Sequence, residues 1–302
     1  SSGTAALHLA CLSLGFGRGD VLWTTPNTFV SSANCALFCG GDVDFVDIDP
    51  RSYNMSVEAL AAKLENAERP PDILIPVHFA GQPCDMARVS AIAKAHQLFL
   101  LEDCAHALGT RYGDQRVGAI GDIGLFTFAL AKNMPCFGGG MITAKDDAIY
   151  QKLMGMIQPP TESHRKGLRK EIFKTSANYF ATLPLTFSLI VNPMMRFLSA
   201  LGLAAFDSEP GQETVSDTEV RKQYPTRITN LQAAVGCYQL GRIEAINAKL
   251  EDNARRPRVQ IRIEGEPNIY LQAPLSTAAA WAEAKALLEG AFSVSQALDA
   301  LE

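Results

Sequence analysis

The chain has 302 residues, 47% hydrophobic and 20% charged, with a formal net charge of −5. That length suits one large domain plus a smaller one, and the composition is ordinary for a globular enzyme. The acidic balance argues against a nucleic-acid partner, which calls for a basic patch on a basic domain.

The first stretch, SSGTAALHLACLSLG, already reads as the start of a helix, so an N-terminal portion ahead of residue 1 is expected. Helical patterns cover 4–14, 28–39, 56–67 and 85–96. Apolar, β-rich runs fall at 21–25, 43–48, 73–77, 97–102, 123–128 and 140–144. Strands alternating with helices predict an α/β domain: a mostly parallel sheet flanked by helices on both faces. In such sheets ligands gather at the C-terminal ends of the strands.

Residues 158–222 change character. A basic stretch at 164–174 precedes an apolar one at 177–206, followed by a polar, loop-like run. Pro184, Asn192, Pro193 and Arg196 interrupt the apolar run, which argues against a transmembrane span. A basic helix followed by apolar helices suits a peripheral membrane contact through 164–206. The other reading is a helical hairpin packed on the protein or on a dimer partner. Residues 226–250 read as one amphipathic helix. The tail has one strand-like run (268–274) and an Ala-rich helix (276–290). The expected division is a large domain over 1–250, with 158–222 as a divergent insertion, and an incomplete small α+β domain over 251–302. The seven cysteines are scattered, and Cys35 and Cys39 lack the further ligands of a zinc site. No metal is expected, and free thiols in a reducing cytoplasm are.

The segment LFLLEDCAHALGT (98–110) ends a buried-looking strand on Glu102 and Asp103. A buried carboxylate is costly unless a cation or hydrogen bonds await it. Downstream, Lys132 follows a second buried run and precedes glycines 138–140, which let backbone approach a ligand. A lysine in a partly dry pocket has a lowered pKa and becomes a usable amine nucleophile; the plainer reading is a solvated loop lysine. Together, Asp103 and Lys132 are the pair that pyridoxal 5′-phosphate chemistry needs. The lysine bonds the cofactor's aldehyde, and the carboxylate keeps its pyridine nitrogen protonated. A helix N-cap is the plainer role for Asp103. Gly3 and Thr4 at a helix start fit a phosphate site, although Ser-Gly-Thr there is often only a cap. Thr127 offers a second hydroxyl. Phe29 is placed to stack on a cofactor ring or, more plainly, to pack in the core.

In order and spacing, SSGTAALHLACLSLG, TTPNTFVSSANCAL, IPVHFAGQPCDM, LEDCAHALGTRYGDQRVGAIGDIGLFTF, AKN…GGGM and RITNLQAAVGCYQL resemble the DegT/StrS family of sugar aminotransferases. That resemblance implies a fold-type I pyridoxal phosphate transferase. It also implies a homodimer and transfer of an amino group from an amino-acid donor such as glutamate to a nucleotide-linked keto sugar. The stretch WTTPNTFVSSANCALFCGGDVDFVDIDPRSYNMS is most similar to transaminases of pseudaminic acid biosynthesis, which act on a UDP-linked 4-keto-6-deoxy-N-acetylhexosamine. By the resemblance, Lys132 is the Schiff-base lysine and Asp103 the partner of the pyridinium. His106 sits beside the cofactor's 3-hydroxyl, Gly3, Thr4 and Thr127 hold the phosphate, and Phe29 stacks on the ring. Three departures stand out. His-Pro-Thr before the lysine becomes Ala129-Leu130-Ala131, a Glu is missing from the Gly138–Gly140 turn, and Pro225 replaces a partner-contacting Asn. They leave two rivals: a non-catalytic paralogue that binds the sugar, and a dehydratase on the same sugars.

Overall fold

The computed structural model describes residues 1–200, 226–255, 258–259 and 273–274. Its centre is a six-stranded sheet in the order β2-β1-β3-β4-β7-β8. The strands are β1 (Val21–Thr24), β2 (Asp42–Phe45), β3 (Ile73–Leu74), β4 (Phe99–Asp103), β7 (Ile123–Thr127) and β8 (Gly140–Ala144). All neighbours pair in parallel except β7 and β8. A short antiparallel hairpin, β5 (Arg111–Tyr112) and β6 (Gln115–Arg116), stands apart from the sheet and has no counterpart in the sequence reading.

Alternation along the strands assigns the core. Leu22, Ile73, Leu101, Ile123 and Leu125 pack on one face with Leu7, Ala10 and Cys11 of α1 (Gly3–Ser13) and Cys35 and Ala36 of α2 (Ser31–Phe38). Trp23, Leu74 and Leu100 point the other way, onto Leu60 and Leu64 of α3 (Val57–Asn66) and Met86 and Val89 of α4 (Met86–Ala95). A sheet covered on both faces needs such strands, apolar at successive positions. The helices start where side chains can take their orphan N–H groups. Ser2, Ser56 and Asp85 cap α1, α3 and α4 through bonds to Ala5, Ala59 and Arg88 nitrogens.

The expected elements stand, with shifted ends. The helix expected from 28 starts at Ser31, after the turn imposed by Pro26-Asn27. The strand expected over 73–77 is short because Pro76 has no N–H for the ladder. Its carbonyl still accepts from Asp103 N at 2.9 Å. The strand expected from 97 begins at Phe99 because Gln97 turns the chain with φ 58°.

The single helix expected over 226–250 is two, Asn230–Leu240 and Ile243–Arg255, parted at Gly241-Arg242; glycine is the residue that a helix interior favours least after proline. After α5 (Asp147–Met156), the basic stretch forms α6 (Glu162–Ala181), with Thr161 as its cap. A second helical run from Pro184 follows, bent by 73° from α6 and carrying a π-helical stretch at Phe187–Val191.

The chain divides into units Ser1–Ile243 and Glu244–Glu302. In the second, the described parts are the helix to Arg255 and two antiparallel strands, Arg258–Val259 and Ala273–Pro274. The Ala-rich helix over 276–290, Pro225, the polar run before it and most of the strand-like run at 268–274 lie outside the described residues.

Candidate active site

The two carboxylates that end β4 face opposite ways, as successive strand residues must. Glu102 is fully buried and accepts four hydrogen bonds. Oε1 takes the N–H groups of Ile120 (2.8 Å) and Gly121 (2.6 Å); Oε2 takes Gly118 N–H (2.9 Å) and His78 Nε2–H (3.1 Å). The His78 tautomer follows, because its Nδ1 accepts from Cys84 N at 3.1 Å. Burial pushes the Glu102 carboxyl up, but the bonds from His78, Gly121 and Gly118 outweigh it and hold it below the ordinary glutamate value. Glu102, His78 and Cys104 bring potential metal-ligand atoms within 4.8 Å of one another. Glu102 has no acceptor site left, so these residues form a closed structural network and not a metal centre.

Asp103, 4% exposed, closes the other side. Ser32 Oγ donates to its Oδ2 at 2.7 Å and Ala105 N to its Oδ1 at 3.0 Å. The backbone bond is a local turn bond: no helix starts after Asp103, so the N-cap role expected as the plainer reading is not the one observed, and the bond occupies only one oxygen. Thr28 Oγ1 lies 2.8 Å from Ser32 Oγ, so a hydroxyl pair from the start of α2 reaches the carboxylate.

Lys132 lies half-buried on a loop closed by its own backbone. Phe128 O accepts from Cys136 N and Gly138 N, and Phe128 N donates to Gly139 O. Gly139 has φ 110°, and a Cβ there would meet Ile228 at 2.9 Å. Gln232, buried in the capping box of the helix that starts at Asn230, donates to the carbonyls of Phe137 and Gly138. Desolvation lowers the Lys132 amine, and the Asp103 charge partly opposes this. Exposed His106 is lowered by desolvation and then by Lys132, against a raising effect from Asp103. These mutual effects place Asp103, His106 and Lys132 in one electrostatic neighbourhood. His106 Nδ1 accepts from Ala80 N at 3.3 Å, and its ring meets Phe79 edge-on.

The N-terminus of α1 abuts the ends of β7 and β8. A Cβ on Gly3 would lie 2.9 Å from Thr127 Cβ, and one on Gly140 would lie 2.5 Å from Ser2 O. Thr4 Oγ1 sits 2.7 Å from Ser31 Oγ at the start of α2. Gly3, Thr4 and Thr127 are thus brought together by close packing. Phe29 is 72% exposed on the loop before α2, outside the core. Ser32, the His78–Glu102 pair and Gln232 had no role in the sequence reading. A buried serine's one long-range bond leaves no periodic signal.

The sequence profile described as the DegT/DnrJ/EryC1/StrS aminotransferase family matches residues 1–182. The chain belongs to that family. The spore coat polysaccharide biosynthesis protein SpsC of Bacillus subtilis (strain 168) is 42% identical over 154 residues, 51% of this chain and 39% of that protein. The GDP-perosamine synthase of Escherichia coli O157:H7 is 37% identical over 154 residues, 51% of this chain and 42% of that protein. The chain therefore spans about two-fifths of the length of these relatives. Among solved structures, an aminotransferase from Psychrobacter cryohalolentis superposes with a TM-score of 0.60 at 29% identity, covering 84% of this chain and 54% of that one. A family member from Brucella abortus superposes at 0.59 with 21% identity, over 95% of this chain and 68% of that one, a likeness of fold. The expected α/β fold of the DegT family aminotransferases is the observed one.

Proposed function

We propose that this chain carries the cofactor-binding core of a pyridoxal 5′-phosphate-dependent sugar aminotransferase. It would move an amino group from an amino-acid donor, glutamate, to a keto sugar on a nucleotide, for cell-surface glycan synthesis. The observation that carries the reading is a half-buried lysine with a lowered amine, sharing its surroundings with a buried aspartate. Among the described residues, no lysine, arginine or histidine forms an ion pair with that aspartate.

The residues fit the cofactor. Asp103 holds acceptor capacity beyond its bonds from Ser32 and Ala105, which suits a pyridinium N–H. The α1 N-terminus with Gly3, Thr4 and Thr127 suits a phosphate dianion. Exposed Phe29 offers a ring face, and His106 a polar edge. When bound, the cofactor supplies an electron sink for the pair released at the donor's Cα–H bond. Lys132, its amine lowered by desolvation, would hold the cofactor through its carbonyl and would be the group that takes and returns the proton moved in the transfer. Asp103 would keep the ring nitrogen protonated, since an opposite charge favours the ionised form.

The substrate class follows from relatives such as the GDP-perosamine synthase and the UDP-N-acetyl-3-dehydro-alpha-D-glucosamine 3-aminotransferase of Acidithiobacillus ferrooxidans, whose names specify nucleotide sugars. Within that class, the sequence likeness favours a UDP-linked 4-keto-6-deoxy-N-acetylhexosamine. A homodimer, read by light scattering, and a cytoplasmic site, where free thiols persist, complete the reading.

The test is the absorbance of the protein with added pyridoxal phosphate beside Lys132→Ala. A visible band in the parent, absent in the variant and bleached by glutamate, supports the reading. No band in either leaves a sugar-binding paralogue. A band that glutamate leaves unchanged, with water lost from the sugar, indicates the dehydratase.

A further inference from the structure

The helices between Glu162 and Leu198 expose their apolar side chains. Phe173, Tyr179, Phe180, Leu185, Leu189, Ile190, Met194 and Phe197 are each between 50% and 76% exposed, while Leu168 alone in α6 is buried. Monomeric soluble proteins rarely leave so many large apolar groups together in water. The charges of this segment are one-sided. Arg165, Lys166, Arg169, Lys170, Lys174 and Arg196 stand against Glu162 and Glu171 between 162 and 198, in a chain whose net charge is −5. None of these six cations forms an ion pair among the described residues. Helical spacing puts Arg165, Arg169 and Phe173 in one i, i+4 row, with Phe180 seven residues beyond Phe173 on the same face. No single described helix is long and apolar enough to cross a membrane, but the pair Glu162–Ala181 and Pro184–Leu198, bent by 73°, passes the same test jointly.

We propose that this bent helix pair is a docking surface for an anionic lipid bilayer. It lies in the interface, with the α6 cations on lipid phosphates and the aromatic and aliphatic side chains among the upper acyl groups. Cations beside apolar side chains on one helix are what such an interface selects. A second copy of the same face would set like charges against each other. The acidic run at 207–219 could answer the cations, but its only aliphatic side chain larger than proline is Val215, too little to cover the apolar groups.

The experiment is flotation of the full chain with phosphatidylcholine vesicles, with and without phosphatidylserine, alongside light scattering. Two variants are compared: Lys166→Gln/Arg169→Gln/Lys170→Gln, and Phe173→Ser/Phe180→Ser/Leu189→Ser. Circular dichroism confirms that each is folded. The parent is expected to float with anionic vesicles, less so at high salt. The charge variant should bind roughly 100-fold more weakly, at about tenfold or less per cation near the surface, and the apolar variant should stay at the bottom. A parent that does not float overturns the proposal. So does flotation indifferent to both variants. An apolar variant that turns a dimer into a monomer while the parent ignores vesicles assigns the face to a second copy instead.

Discussion

Ser32 Oγ donates to Asp103 Oδ2 at 2.7 Å, tying the first turn of α2 to the last residue of β4 across 71 positions of sequence. The bond holds one oxygen of the Asp103 carboxylate in place. A hydrogen bond to a charged group is worth about 1.5–3 kcal/mol. Ser32→Ala should therefore weaken pyridoxal phosphate binding by roughly tenfold or more, read from a titration of the visible band. Unchanged affinity would show that the serine does not position Asp103.

Glu102 is expected to matter for folding. Its folded-state carboxyl lies below the ordinary 4.5, so its contribution to stability is present above that pH and is lost as pH falls through the folded value. Glu102→Gln would leave the N–H groups of Gly118, Ile120 and Gly121 facing an amide, at a cost of about 1–3 kcal/mol for each donor left unmet. Thermal melts should show a lower melting temperature for the variant at pH 7. The difference from the parent should shrink as the pH is taken below 4.5. A constant difference across that window would contradict the assignment.

Lys132 reactivity should follow its depressed amine. Its rate of labelling by an amine-specific reagent, taken as the difference from Lys132→Ala, should rise with pH to a midpoint below the ordinary 10.5. Asp103 raises the lysine's pKa, so Asp103→Asn should move that midpoint lower still. A midpoint that moved upward would refute the pairing.

Gly3 and Thr127 can be separated. Gly3→Ala puts a methyl 2.9 Å from Thr127 Cβ, an overpacking that costs about 1–3 kcal/mol. Adding Thr127→Gly should restore much of the stability, less the cost of a glycine at the end of a strand, since it removes the colliding Cβ together with its branches. It should not restore phosphate-dependent cofactor binding, because the hydroxyl goes with them. Recovery of both together would argue that Thr127 has no part in holding phosphate.

Replacing the lysine itself gives the largest effect. Lys132→Ala should lower amino-group transfer by about 10³-fold or more, in the range of a lost acid–base group, with folding intact by circular dichroism. Among the described residues, half-buried Lys132 makes no side-chain hydrogen bond; its N–H to Ala129 O is backbone and survives the change.

Much of the α/β core was readable because its signal is local. Strand runs such as VLWT and IGLFT are apolar on successive residues, which only a sheet covered on both faces permits. Element ends were less readable. Pro76, Gln97 and Gly241 each moved a boundary through backbone geometry that hydrophobic periodicity does not register. The exposure of the apolar segment after α6 was also undecided, because an apolar run reads alike whether it faces a core or solvent.

By itself, the sequence determined the six strands of the sheet and the four helices between residues 3 and 95, the placing of Asp103 at a strand end, and the candidacy of Lys132 beside a glycine turn. These follow from residue types whose cost or conformational preference shows over a few neighbouring positions. Only the tertiary structure decided what the two carboxylates of β4 do. Glu102 turns into the amides of Gly118, Ile120 and Gly121 and to His78, while Asp103 turns to Ser32. That division comes from the sheet's alternation and from partners 16 to 71 residues away. Those partners meet only when β1, β3, β4 and β7 lie side by side, so no window along the chain contains them.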